Sequence, residues 1–200
     1  KRLTPVQRRC LTKTMVGITP VGTVLLRRKE WLDDLCPRCG QPNETSEHVI
    51  TCKDPAAEAI WNKSMIDVED WLKDQKTDPK LREVLMEGIR SIRTGSPPTH
   101  RRPDLKQACE TQKDMGWYSL MEGCTTGQWH QIQHERFLSL GYRKTGKRWV
   151  IALIEKLLAI SWDQWQHRND VLHTAENSVI GQDCNTFIDH VLSLNTASTD

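Results

Sequence analysis

Hydrophobic residues recur along most of the chain at the three- and four-residue spacing of a helix face. The pattern is clearest in two segments that each begin with Asp-Pro, a helix cap followed by a first-turn proline. The first segment runs from Asp54 to about Gln75, and the second runs from Asp78 to about Arg93. No segment alternates polar and apolar residues as a half-buried strand does. The chain is therefore predicted to be all-α, with little or no sheet.

The two segments carry many Asp and Glu residues and are called here the acidic helix pair. The same spacing predicts helices on both sides of this pair. A bend is expected near Gly116, and Leu32 is expected to face inward. The longest predicted helix, 147–173, is apolar on most of its sides, which indicates a central position with several neighbours. These further helices are expected at about residues 5–15, 21–32, 105–122, 128–140, 147–173 and 178–194.

The segment 95–103 has the composition of a linker, because it is rich in proline and lacks large apolar side chains. It divides the chain into two predicted parts. The first, 1–94, holds basic helices, a cysteine cluster and the acidic helix pair. The second, 104–194, is a helical bundle, and the polar tail 195–200 is expected to fray.

Composition places the protein among globular chains. The 200 residues are 37% hydrophobic and include eight Trp, enough to build a core. No apolar run reaches the ~18 residues of a membrane span, and no signal peptide opens the sequence. Four cysteines, Cys10, Cys109, Cys124 and Cys184, follow no disulfide spacing, which favours a reducing compartment. An intracellular location, nuclear or cytoplasmic, is predicted, and the initial Lys indicates a piece of a longer protein.

The remaining three cysteines and one histidine form a candidate zinc site in the order Cys-x2-Cys-x8-His-x3-Cys. The residues are Cys36, Cys39, His48 and Cys52. Thiolate and imidazole groups are the usual ligands of structural Zn²⁺, which binds four of them in a closed tetrahedron. Gly40 relieves the turn after Cys39, and His48 and Cys52 share one helix face. A structural CCHC zinc finger is therefore predicted near the N-terminus of the bundle.

Basic residues are concentrated at the N-terminus, where residues 1–29 contain eight Lys or Arg and no acid. Beside a zinc finger, this concentration predicts a surface that faces phosphates; an ordinary solvated surface is the alternative. Trp31 is expected to be partly exposed beside these charges, whereas most tryptophans are expected in the core. The residues predicted to contact nucleic acid are Arg8, Arg9, Lys13, Arg27, Arg28, Lys29, Trp31, Arg38, Arg101, Arg102, Arg143, Lys144, Lys147 and Arg148.

Two segments resemble one protein family. Residues 36–52 contain Cys-Pro-Arg-Cys-Gly and then Glu-Thr-x-x-His-Val-Ile-x-Cys, after a lead-in Lys-x-x-x-Gly-Ile-x-Pro at 13–20. This resembles the zinc-binding segment that follows the polymerase domain of non-long-terminal-repeat (LINE-type) retrotransposon reverse transcriptases. The tract Trp-Asp-Gln-Trp-Gln-His-Arg-Asn at 162–169 is similar to a downstream tract of the same proteins. The resemblance implies a region that holds template RNA or target DNA beside a polymerase domain of the same polypeptide.

The sequence contains no polymerase carboxylate motif, nucleophile triad or phosphate-binding glycine loop, so we do not expect an enzyme. Arg168 is expected to pair with a carboxylate, with base reading as the alternative. The predicted function is a zinc-stabilised module that binds RNA or DNA through phosphate contacts, with no membrane partner and no small-molecule substrate. The alternative is a zinc-stabilised helical domain for protein interaction or scaffolding. The two differ in whether the basic residues converge on one face.

Overall fold

The computed structural model describes the backbone of residues 4–196 and the side chains of residues 4–174. Between residues 4 and 196 there is no strand, and the regular structure consists of eight α-helices and one 3₁₀ helix. The prediction of an all-α fold is confirmed. The helices are α1 (Pro5–Met15), α2 (Gly22–Arg27), α3 (Ser46–Thr51), α4 (Pro55–Asp74), α5 (Pro79–Thr94), α6 (Pro103–Met115), the 3₁₀ helix (Trp117–Glu122), α7 (Gln128–Ser139) and α8 (Gly146–Thr196).

Side-chain caps determine where several of these helices begin. The carboxylates of Asp54 and Asp78 each accept two backbone N–H bonds, and a proline follows each cap at the first helical position. Thr4 forms a capping box with Gln7 at the start of α1. Thr45 accepts a hydrogen bond from the His48 N–H and begins α3. Helices α1, α4 and α5 therefore start where the sequence predicts.

The second helix is shorter than predicted. It ends at Arg27 because Lys29 takes up a left-handed conformation with φ 61°, and the Glu30 N–H then bonds back to the Leu25 carbonyl. Leu32 consequently lies beyond the helix and is fully exposed, at 101%. The expectation that Leu32 faces inward is wrong.

The last helix is longer than predicted. It begins at Gly146 and continues without a break to Thr196, so the segments 147–173 and 178–194 belong to one helix rather than two. The intervening residues 174–177 contain neither Gly nor Pro, and nothing in them interrupts the backbone hydrogen bonds. Cys184, the expected apolar face of 178–194 and the tail residues 197–200 lie outside the described side chains.

One hydrophobic core joins α4, α5, α6, the 3₁₀ helix, α7 and α8. Leu72 and Leu85 from the acidic pair belong to the same cluster as Leu105, Trp129 and Leu153 from the later helices. Apolar residues on both sides of 95–103 therefore share one core, and the core does not divide at this segment.

The N-terminal helices pack more lightly. α1 has no buried residue, and Val21 and Val24 form a small cluster with Val49 of α3, against which Trp165 of α8 packs. α8 contacts both this cluster and the main core, and it positions the cysteine segment together with α4 and α5. Among the described residues, no helix combines the length and apolar character needed to cross a membrane.

Candidate metal centre

Cys36, Cys39, His48 and Cys52 come together as predicted, and their ligand atoms all lie within 4.8 Å of one another. The Sγ atoms of Cys36 and Cys52 are 3.9 Å apart, and the Sγ atom of Cys39 is 3.3 Å from Nε2 of His48. The four residues therefore form a Cys3His group that could hold a metal ion.

Two local structures present these ligands. The first is a tight turn in which the Gly40 N–H donates to the Cys36 carbonyl at 2.8 Å. Gly40 has φ 69°, a conformation that residues with a side chain rarely adopt. The second is α3, which carries His48 and has Cys52 as its C-cap. Short sequence spacing and one capped helical turn are thus enough to bring the ligands together.

The protonation of the site bears on metal binding. Burial raises the pKa of the Cys52 thiol to about 12, and burial lowers the pKa of the His48 imidazole. Metal ions bind thiolate and neutral imidazole, so a bound ion has to displace a proton from Cys52. His48 already favours its neutral, ligating form.

A buried ion pair joins the cysteine segment to α8. Arg168 donates from Nε to Glu44 Oε1 at 2.9 Å and from Nη2 to Glu44 Oε2 at 2.7 Å. Both side chains are almost completely buried, at 2% and 0% exposure. Oε2 of Glu44 also accepts the Gly22 N–H at 2.7 Å, so one carboxylate connects α2, the cysteine segment and α8. The expectation that Arg168 pairs with a carboxylate is confirmed.

Arg38 connects the cysteine turn to the same helix. Its Nη1 donates to Gln164 Oε1 at 3.0 Å, and its Nη2 donates to the Val49 carbonyl at 2.6 Å. Gln164 is fully buried and in turn donates to the Ala57 carbonyl of α4 at 2.8 Å. Arg38 is one of the residues predicted to contact nucleic acid, and its guanidinium is occupied by these internal bonds.

Arg93 of α5 binds the cysteine segment at the next carbonyl along the chain. Its Nε and Nη2 donate to the Ile50 carbonyl at 3.0 and 2.8 Å, and its guanidinium lies 4.5 Å from the ring centre of Trp61. Sequence reasoning missed Glu44, Gln164 and Arg93 as supports of the site. No local pattern signals them, because each acts through a partner that is distant in the chain.

Most of the side chains predicted to contact nucleic acid are exposed, and none of those exposed forms an ion pair with another described side chain. Arg102 differs, because it bridges Asp78 and Asp104 at 3.2 and 2.8 Å. Trp31 is half-buried, with the Arg168 guanidinium 5.3 Å from its ring centre. The exposed residues are Arg8, Arg9, Lys13, Arg27, Arg28, Lys29, Arg101, Arg143, Lys144, Lys147 and Arg148.

The exposed basic residues do not form one continuous group. Residues 143–148 lie at the start of α8, where Gly146 packs against His130 of α7. The cysteine segment contacts α8 at Gln164 and Arg168 instead. Gly146 and the contact residues Gln164 and Arg168 are about twenty residues apart on α8, a separation of roughly 30 Å. The basic turn at 143–148 is therefore a separate surface from the N-terminal basic residues.

Over residues 4–196 the fold is all-helical, and its N-terminal half contains a Cys3His group that could hold a metal ion. Comparison with known proteins gives no match: no family model matches the sequence, and no curated protein or solved structure is significantly similar to it. The resemblance to LINE-type reverse transcriptases therefore stays a prediction.

Proposed function

We propose that the Cys3His group holds a structural Zn²⁺ and that the chain is a zinc-stabilised nucleic-acid-binding module without catalytic activity of its own. Zn–S bonds of about 2.3 Å and Zn–N bonds of about 2.0–2.1 Å in a tetrahedron place the ligand atoms roughly 3.5–3.8 Å apart. The separations of 3.9 Å for the sulfur pair and 3.3 Å for the Cys39–His48 pair are close to this requirement. Four protein ligands leave no open position on the ion, so its role is structural.

The observation that carries the binding function is the set of exposed cations beside the metal centre. Arg8, Arg9 and Lys13 lie on α1, and the turn Arg27–Lys29 follows α2. No ion pair with a described side chain neutralises them, whereas Arg38 and Arg168 bond to partners within the protein. Cations that the fold leaves without a carboxylate partner suit the phosphates of a polyanion. Such contacts are salt-dependent and largely independent of sequence.

In this proposal Zn²⁺ holds the cysteine segment in one conformation. Glu44 of that segment pairs with Arg168 and also accepts the N–H of Gly22, the first residue of α2, so the position of α2 depends on the segment. The turn Arg27–Lys29 is then presented to RNA or DNA in one orientation. The proposed setting is a retroelement protein whose polymerase domain lies elsewhere in the polypeptide, which rests on the sequence resemblance alone. A reducing compartment, nuclear or cytoplasmic, keeps the cysteines available as zinc ligands.

The test is binding of the zinc-loaded protein to a hairpin RNA and a duplex DNA over a salt series. An Arg27→Ala/Arg28→Ala variant is expected to bind more weakly and to lower the salt slope on duplex DNA by about two, because two phosphate contacts are lost. A Lys73→Ala/Lys80→Ala variant is the matched control, since it removes two exposed cations that already pair with acids. No binding at low salt by the folded, zinc-loaded protein would overturn the proposal.

A protein-interaction or scaffolding role is the second candidate, and one observation favours it. Several apolar side chains of the first 35 residues are exposed, including Met15 at 56%, Val16 at 60% and Leu32 at 101%. Exposed apolar groups of this kind mark protein contacts when they are contiguous. If this second role is correct, the Arg27→Ala/Arg28→Ala variant binds the hairpin RNA and the duplex DNA no differently from the unaltered protein. A Val16→Ser/Leu32→Ser variant then loses crosslinks to other proteins in a cell extract.

A further inference from the structure

An apolar cleft lies between α1 on one side and α3, the 3₁₀ helix and α8 on the other. Its lining includes three aromatic side chains, Tyr118, Trp162 and Trp165, each half-buried rather than buried. The aromatic and apolar side chains around the cleft are suited to the face of a ring-shaped ligand.

The outer wall of the cleft is incompletely packed. α1 contributes Gln7, Cys10, Leu11 and Thr14 to the lining, yet no residue of α1 is buried. A surface helix of a globular protein ordinarily buries the apolar residues of its inward face. Here that face lies opposite the aromatic rings without closing on them, which leaves both sides available to a ligand.

The charge around the cleft is asymmetric. Arg8 and Lys13 are exposed on α1, which carries no acidic residue. At the other end, burial raises the pKa of Tyr118, and the nearby carboxylates of Glu122 and Glu47 raise it further, so the phenol stays protonated. An aromatic ring that carries an anion would therefore lie with its ring between the walls and its anion towards α1.

We propose that this cleft binds one unpaired nucleobase of an RNA or DNA strand, with the base stacked on Trp162 next to Trp165 and Tyr118 and the adjoining phosphates beside α1. The inference rests on the proposed nucleic-acid function and specifies what that site takes: an unpaired base in addition to backbone. Every base has a π-face, so stacking adds affinity with little sequence preference. The polar margin of Gln7, Thr14 and Ser46 supplies few hydrogen bonds, in keeping with weak selection among bases.

The proposal is tested with two strands that share a backbone and differ in their bases. The zinc-loaded protein is titrated with an oligouridylate of about twelve nucleotides, a length within single-strand site sizes, and with the abasic strand of the same length. We expect the oligouridylate to bind roughly tenfold more tightly, because one stacked base contributes about that factor. Equal affinity for the two strands would overturn the proposal.

Variants assign that difference to the cleft. Trp162→Leu keeps an apolar side chain without an aromatic face and is expected to bring the ratio of the two affinities close to one. Trp162→Phe keeps a ring and should retain most of the ratio. Trp71→Leu is the matched control, because Trp71 is a half-buried tryptophan of α4 that packs against the main core and does not line the cleft. An unchanged ratio in folded Trp162→Leu would contradict the proposal.

A second measurement does not depend on strand binding. Uridine monophosphate is added to 5-fluorotryptophan-labelled protein, whose ¹⁹F resonances are assigned from the tryptophan variants. We expect the Trp162 and Trp165 resonances to shift and the Trp71 resonance to stay. If the resonances shift but the protein does not bind either strand, the proposed function is wrong and the cleft still binds a nucleotide. If the resonances do not shift, while strand binding still depends on Arg27 and Arg28, base binding in the cleft is wrong and the proposed function stands.

Discussion

The helical bundle and the cysteine segment, residues 36–52, are stabilised in different ways. In the bundle, leucines such as Leu72, Leu105 and Leu153 are fully buried in one core that six helical elements share. The cysteine segment contributes Ile50 to that core, and Val49, Cys36 and Cys52 pack in two small apolar clusters. Its ligand cluster and the side chains of Arg38, Arg93 and Arg168 hold it in addition. The bundle depends on many similar apolar contacts, whereas the segment depends on a small number of apolar contacts and a few polar ones.

This difference bears on how each region responds to damage. Truncation of one large core side chain typically costs about 2–5 kcal/mol, because its neighbours adjust only partially. A polar support works through a single partner, and its loss leaves a buried group without a hydrogen bond or a counter-charge. Metal removal acts on the cysteine segment alone and should therefore separate the two regions.

Removal of the metal gives the largest expected effect. Structural Zn²⁺ contributes an apparent folding free energy of about 10 kcal/mol or more in small fingers, so chelation is expected to unfold at least residues 30–55 while the bundle keeps its own core. Hydrogen exchange measured by mass spectrometry should show lost protection in that segment and retained protection in α4 to α7. Cys36→Ser should reproduce the change, and Cys10→Ser, which removes a cysteine outside the cluster, should not. Unchanged exchange in 36–52 after chelation would show that the ion is not what holds this segment.

Breaking the Glu44–Arg168 pair gives the next largest effect. Glu44→Gln leaves the Arg168 guanidinium buried without its counter-charge, which typically costs about 3–5 kcal/mol. Urea denaturation should show this loss, and the double variant Glu44→Met/Arg168→Met should recover part of it, because no charge then remains buried. Glu83→Gln, which breaks the exposed pair with Lys80, should change stability little. A loss as small as that of Glu83→Gln would mean that the buried pair does not hold the segment to α8.

A single methyl group added to the bundle gives the smallest of these effects. The ring of Trp117 lies across Gly88, where an added Cβ would come within 1.9 Å of it. Gly88→Ala is expected to destabilise the protein by about 1–3 kcal/mol through overpacking, although Ala is the better helix former. Gly127→Ala is the control, because no atom lies within 4 Å of the Cβ position there and its φ is −63°. Urea denaturation that finds Gly88→Ala as stable as Gly127→Ala would show that the core adjusts freely at this point.

Local signals in the sequence predicted the helices and the ligand set well, and they failed where the outcome depended on distant contacts. Asp54 and Asp78 each act on backbone groups within three residues, and their helices begin as expected. Leu32 was expected inside on the basis of helical spacing, and the reversal at Lys29 ends the helix before that spacing applies. Arg38 carries the same charge as Arg27, and only its bonds to Gln164 and Val49 distinguish an internal support from an exposed cation.

The sequence by itself determined the all-α class, several of the helix starts and the Cys3His group that could hold a metal ion, because each of these depends on residues a few positions apart. The tertiary structure alone decided that Glu44 is the partner of Arg168, that one core spans the segment 95–103 and that α1 leaves a cleft beside Trp162. These features join residues that are far apart in the chain, and their energies arise from burial and from charge pairing that exists only once α8 lies against the rest.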